Sequence, residues 1–167
     1  MIWNLGSINA DFFYHLPHLP QPGETIAATA FARGLGGKGA NMSVAAARAA
    51  ARVMHIGAVG SDGGWAVTRL LEYAVETQHI AKIDVPTGHA IISVDHEGEN
   101  SIVLLPGANA AITDQMIGAA LTEATPGDFL LMQNETSGQV FAAETAKTLG
   151  LKVAYAAAPF RPLRCSP

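Results

Sequence analysis

Apolar positions along the chain fall into two repeating arrangements, and these take turns. Residues 2–7 form a short apolar run of the sort a strand buries, and residues 11–16 follow with aromatic side chains suited to a pleated surface. Pro17, Pro20, Pro22 and Gly23 then break the chain, and residues 24–32 offer β-branched and aromatic positions for the returning arm of a hairpin. Residues 40–52 are dominated by alanine, which predicts a helix slim enough to lie close to a sheet. A strand at 53–57, a helix over 63–75 capped by Asp62, and a strand at 80–85 come next. A second hairpin is expected from residues 90–94 and 101–105, turning around His96-Glu97-Gly98-Glu99. Beyond it Thr113 caps a helix running to Leu121, and 129–133 is a strand. Residues 137–149 make an amphipathic helix closed by Gly150, and 152–156 is a last strand.

Strands alternating with helices predict an α/β fold, a parallel sheet with helices on its faces. The two hairpins predict a separate small antiparallel layer, a β lid. With 167 residues, 49% of them apolar, the chain is sized for one domain with a substantial core and contains no internal repeat or low-complexity linker. A formal charge of −4, with the ten Lys and Arg scattered along the sequence, argues against an electrostatic nucleic-acid binder. No apolar run is long enough to span a membrane, and no basic stretch leads into a hydrophobic one, so no membrane partner and a cytoplasmic location are expected. A single cysteine, Cys165, leaves no internal disulfide and is not expected to be a catalytic thiol.

The segment Gly34-Leu35-Gly36-Gly37-Lys38-Gly39 satisfies the dinucleotide-binding pattern G-x-G-x-x-G. A dinucleotide turn, however, follows the first strand directly and meets an acid at the end of the second. Here the strand at 53–57 leads into Ala58-Val59-Gly60, with no acid before Asp62. A phosphate-cradling P-loop fails as well: Gly39 stands where Ser or Thr should follow Lys38, and Ala32 replaces the first glycine. A turn whose glycines merely permit unusual backbone angles is the plain alternative.

The loop does not stand alone. Gly6-Ser7-Ile8-Asn9-Ala10-Asp11, Pro22-Gly23-Glu24-Thr25, Gly36-Gly37-Lys38-Gly39-Ala40-Asn41, Gly98-Glu99-Asn100, Gly107-Ala108-Asn109-Ala110 and Leu131-Met132-Gln133-Asn134-Glu135 together resemble the PfkB carbohydrate kinases, and the ribokinase branch within them. They fall in the family's order and span residues 2–158, and the run from Gly36 through Asn41 to Gly57 and Gly60 is similar to the first of the family's signatures. The resemblance implies a ribokinase-like domain over residues 1–160, truncated at the C-terminus, with lid strands from about 10–34 and 88–105. It implies transfer of the ATP γ-phosphoryl group to D-ribose, giving ribose 5-phosphate, with magnesium and a monovalent cation as further expectations. A homodimer through the β lid is implied too. Other PfkB sugar or nucleoside kinases, and a non-catalytic sugar-binding or dimerisation remnant, remain as alternatives.

A sugar is a ring of hydroxyls, so its site needs carboxylates and amides that accept and donate in pairs, beside backbone that can come close. Asn9, Asp11, Asn41 and Glu135 are of that kind. By resemblance, Asn9 and Asp11 bind sugar hydroxyls after the first strand, Gly37, Lys38 and Asn41 contribute from the loop and helix start, and Glu135 from the end of a later strand. Taken singly, Asn9 and Asp11 suit a turn, and Asn41 and Glu135 suit helix starts. Lys38 suits a sugar contact, a transferred phosphoryl group or plain solvation, and the sugar contact is the one favoured. His15 and His18 are three apart, but Pro17 breaks any helix that would align them on a metal. The remaining histidines read as surface or satisfied core. The family's Asp-Thr-x-Gly-Ala-Gly-Asp type stretch, with its catalytic base and anion hole, has no counterpart in these residues, so the chain is expected to hold the sugar half of the site and to be inactive alone. Residues 161–167 carry neither period and are expected to be an aberrant tail, from a frameshift or a truncation.

Overall fold

The computed structural model describes residues 1–160. The expected aberrant tail, 161–167 with Cys165, lies outside the described residues. Among the described residues nine strands and four α-helices follow one another as β1 (Ile2–Leu5), β2 (Asn9–His15), β3 (Ala30–Gly36), α1 (Lys38–Arg48), β4 (Val53–Val59), α2 (Gly64–Glu72), β5 (Glu76–Lys82), β6 (Gly88–Val94), β7 (Asn100–Leu105), α3 (Asp114–Leu121), β8 (Phe129–Gln133), α4 (Gln139–Thr148) and β9 (Lys152–Ala156). A short 3-10 helix, Gly107–Ala111, joins β7 to α3.

Five of the strands form a parallel sheet in the order β5-β4-β1-β8-β9. Its faces are covered by two apolar clusters. One packs Leu5, Ile56 and Leu130 against Ile117 and Leu121 of α3 and Ala142 and Ala146 of α4. The other packs Val53 and Val59 against Ala40 of α1 and Ala66 and Leu70 of α2. The period-two alternation of β4 sends Met54, Ile56 and Ala58 to the first cluster and Val53 and Val59 to the second, so all seven of its residues are buried. The small residues of α1 do what their size predicts: Ala40 and Ser43 are fully buried against the sheet.

The remaining four strands form the lid, in the order β3-β2-β6-β7. Its two hairpins are antiparallel, as expected, but they join through a parallel pair, β2 with β6, so the lid is a mixed sheet.

Several boundaries differ from the sequence reading, each for a local reason. β3 runs from Ala30 to Gly36, so Gly34 and Gly36 are strand residues paired with Asp11 and Asn9. α1 starts at Lys38, because Gly37 turns the chain at φ 90, and it stops at Arg48, before Ala50 adopts φ 63. Asp62 does not cap α2. Gly63 holds that position without a side-chain bond, and Asp62 Oδ1 instead accepts hydrogen bonds from Thr87 N at 3.0 Å and Thr87 Oγ1 at 2.7 Å. β5 begins four residues earlier than expected, at Glu76; it lies at the edge of the sheet, where the polar Glu76, Thr77 and Gln78 can sit half in solvent. The Thr113 cap is present, accepting from Met116 N at 3.2 Å, and Gly150 closes α4 at φ 76.

Candidate functional site

In the parallel sheet the chain leaves β1 on one side, building β4 and β5, and later returns on the other as β8 and β9. The strand order therefore reverses between β1 and β8, and the crevice outside their carboxyl ends is where an open α/β sheet accepts ligands. The segments leaving those two ends are Gly6-Ser7-Ile8, which leads into the lid, and Asn134-Glu135.

Glycine makes the crevice. The start of α1 lies directly on the link between β1 and β2, and a Cβ on Gly39 would overlap the backbone of Gly6 and Ser7. A Cβ on Gly36 would overlap the Asp11 carboxylate, and one on Gly37 would collide with Ser7 O. Ala40 N donates to Ser7 O at 2.9 Å, tying the helix start to the strand end.

Glu135 is held at this junction from three directions. Its Oε2 accepts from Ser7 Oγ at 2.5 Å and from the Lys38 backbone N at 3.0 Å, and its Oε1 accepts from Lys38 Nζ at 2.8 Å. The carboxylate thus sits at the N-terminus of α1, where free amide hydrogens and the helix dipole favour negative charge. Burial alone would push its carboxyl up, but the bonds from Lys38 and Ser7 outweigh that and hold it below the ordinary value. Asp11 goes the other way: burial and the nearby Glu135 charge raise its carboxyl, and Lys38 only partly offsets them.

Asn9 is buried at the start of β2, and its Oδ1 accepts from Asn109 Nδ2 at 2.8 Å. Asn109 is itself locked by Ile8 N, which donates to its Oδ1 at 2.9 Å. With its oxygen engaged, Asn9 has its amide hydrogens to offer a ligand.

All six residues singled out from the sequence, Asn9, Asp11, Gly37, Lys38, Asn41 and Glu135, line one cleft of about 200 Å³. The apolar part of its lining comes from the lid sheet, which also carries Asn9 and Asp11 on β2: Ala90 and Ile92 of β6, Ile102 and Leu104 of β7. A second hollow of about 250 Å³, lined by Ser7, Asn109 and Thr136 among others, shares Asn9, Leu104 and Glu135 with it.

The sequence reading passed over Ser7 and Asn109 as individuals, although both lie inside the segments that carried the resemblance. It also missed a buried chain of polar groups beneath the cleft. Gln133 Nε2 donates to Asn4 Oδ1 at 2.8 Å, Asn4 Nδ2 donates to Ser43 Oγ at 2.7 Å and to Gly39 O at 2.8 Å, and Ser43 Oγ meets His55 Nδ1 at 2.8 Å. His55 Nε2 lies 3.0 Å from Gly6 O, a carbonyl that can only accept; this sets the proton on Nε2 and makes Ser43 the donor to Nδ1. Burial lowers the pKa of His55 to about 4, so the ring is neutral. Members of this chain are spread from position 4 to 133, and no spacing rule links them.

Fold and site together define a class: a doubly wound α/β protein that closes a polar, carboxylate-bearing cleft under a β lid. The chain belongs to the pfkB family of carbohydrate kinases, whose pattern matches residues 1–159. It is 41% identical over 160 residues to the ribokinase of Haemophilus influenzae, covering 93% of this chain and 52% of that protein. Among solved structures, the ribokinase of Cryptococcus neoformans var. grubii in complex with ADP is 38% identical, with a TM-score of 0.79, covering 96% of this chain and 52% of that one. The Arabidopsis thaliana ribokinase complexed with ribose and ATP is 27% identical, with a TM-score of 0.80, covering 94% and 53%. The chain thus spans about half the length of the relatives it matches, and the family it belongs to is one of phosphotransferases. No helix among the described residues is long and apolar enough to cross a membrane.

Proposed function

We propose that these residues form the acceptor-sugar half of a ribokinase-type kinase, acting in the cytoplasm, which passes the γ-phosphoryl group of ATP to the primary hydroxyl of D-ribose to give ribose 5-phosphate. The observation that carries this reading is the convergence of Asn9, Asp11, Gly37, Lys38, Asn41 and Glu135 on one small cleft beneath the lid. Asp11 and Glu135 accept hydrogen bonds from sugar hydroxyls, and Asn9, Lys38 and Asn41 donate to sugar oxygens. Gly37 lets the ring approach the backbone, and Ala90, Ile92, Ile102 and Leu104 cover its apolar face. Lys38 bridges to Glu135 and still has ammonium hydrogens for a sugar oxygen.

The hydroxyl's proton needs a base, and the transferring group needs a nucleotide with its magnesium. The family resemblance assigns these, and any monovalent cation, to sequence outside these residues. Among the described residues no group of three or more His, Cys, Asp or Glu side chains is placed to hold a metal ion. The 167 residues alone are therefore expected to bind sugar without turnover. Exposed apolar side chains on the lid, Phe31, Ile91 and Val103, support a homodimer through it.

Calorimetry of the chain with ribose, fructose and adenosine tests the reading. Ribose is expected to bind tightest, and Asp11→Ala to weaken it by about tenfold or more, the scale of a lost hydrogen bond to a charged group. Tighter binding of fructose or adenosine would move the assignment to another sugar or nucleoside kinase, and no binding would leave a remnant. Ribose phosphorylation at an ordinary kinase rate by these residues alone would overturn the division of labour.

A further inference from the structure

A larger hollow adjoins the sugar cleft and shares Asn41 with it. It is a groove of about 690 Å³ between lid strand β3 and helices α1 and α2. Three arginines far apart in sequence meet there, one from each element: Arg33 from β3, Arg48 from α1 and Arg69 from α2. In a chain of formal charge −4, three of its ten Lys and Arg share one groove. The only carboxylate lining it is Glu72, which pairs with Arg69 at 2.6 Å. Arg33 and Arg48 have no acidic partner among the described residues.

The arginines are also positioned. The guanidinium carbon of Arg33 lies 4.4 Å from the centre of the Trp65 ring. Those of Arg48 and Arg69 lie 4.9 Å and 5.5 Å from the centre of the Tyr73 ring. A guanidinium stacked on an aromatic face is held by the ring quadrupole while its edge N–H groups stay free. Those edges form a planar fork that matches phosphate oxygens in pairs.

We propose that this groove is a binding site for an oligophosphate group, inorganic or carried by a nucleotide, engaged by the forks of Arg33 and Arg48 with Arg69 as the third cation. A groove of about 690 Å³ with guanidiniums from three elements has room for a chain of phosphates rather than one. Because Arg33 belongs to the lid and the other two to the helical layer, an occupant ties lid strand β3 to α1 and α2. The groove shares Asn41 with the sugar cleft but none of its carboxylates, and the three arginines lie outside that cleft, so the two assignments fail by different measurements.

The test is titration of the full chain with sodium tripolyphosphate at constant ionic strength, read by tryptophan emission. Of the two tryptophans, Trp3 is fully buried under the sheet and Trp65 lies beneath Arg33, so occupancy perturbs the second. A saturable change is expected. R33A/R48A should raise Kd by about a hundredfold and R33K/R48K, which keeps charge but loses the fork, by about tenfold. Orthophosphate should bind at least tenfold more weakly, and ATP as tightly as tripolyphosphate, since the phosphate chain alone is read. The lysine pair serves if the alanine pair fails to fold. The proposal is overturned by no saturable change, by a response that a folded double variant retains at full affinity, by an equal response to matched sodium chloride, or by ATP binding far tighter than tripolyphosphate.

Discussion

The parallel sheet and the lid are built from similar strands but use them differently. Every residue of β4 is buried, while every residue of β7 is exposed, although four apolar residues, Ile102, Val103, Leu104 and Leu105, stand in a row along β7. Sandwiching between helices gives β4 two apolar faces to fill, and it even accommodates His55 by providing Ser43 and the Gly6 carbonyl as partners. β7 has no such cover among the described residues, all six of its own being exposed, so its apolar residues wait for something else, a ligand below or another surface above. A stable scaffold and a surface that gains its burial on binding thus coexist in one chain, and the candidate cleft lies on the seam between them.

That contrast can be broken by experiment. The largest effect is expected in the parallel sheet: Leu130→Ala, at a fully buried position, should cost about 3 kcal/mol in chemical denaturation, within the range for buried leucine truncation. A loss under 1 kcal/mol would mean the sheet is not the scaffold. Next comes pH. The folded-state pKa of His55 is about 4, below its unfolded value of 6.5, so the folded state binds fewer protons than the unfolded one between them. The stability that this contributes is complete above pH 6.5 and is lost as pH falls towards 4; from pH 7 to 5 the loss should be about 2 kcal/mol. Asp11, with its carboxyl held up by burial, works in the opposite sense, so the measurement is best repeated in Asp11→Asn. Stability that stays flat across that interval in both proteins would remove His55 from the scaffold. The smallest effect belongs to the lid: Val103→Ser, two-thirds exposed, should change stability by no more than about 0.5 kcal/mol at protein concentrations too low for two lids to pair. A larger loss, growing with protein concentration, would reveal that the lid is already covered by a second copy.

Much of this was legible in the amino-acid order. Apolar runs separated by helical periods announce a parallel sheet, because each strand must bury both faces and each helix only one. Thr113 and Gly150 mark helix ends through purely local chemistry, and both were read correctly. The failures were also local in appearance. Asp62 looks like a cap in sequence, yet in the fold Thr87 lies close enough to take its carboxylate. The polar start of β5 looks like a loop, and only the sheet's edge makes it a strand.

The site divides in the same way. The six residues that line the cleft were named from their chemistry and their setting in family-like segments, because glycine loops and polar residues at strand ends are written contiguously. Glu135 bound to Ser7 and Lys38, Asn109 locking Asn9, and the chain from Gln133 to His55 were decided by tertiary structure. So was the meeting of Arg33, Arg48 and Arg69, which the sequence presents as scattered charge. The physical reason is range: backbone propensity and side-chain period act over a few residues, whereas a hydrogen bond or a guanidinium fork acts over a few ångströms, and only the fold converts distance along the chain into distance in space.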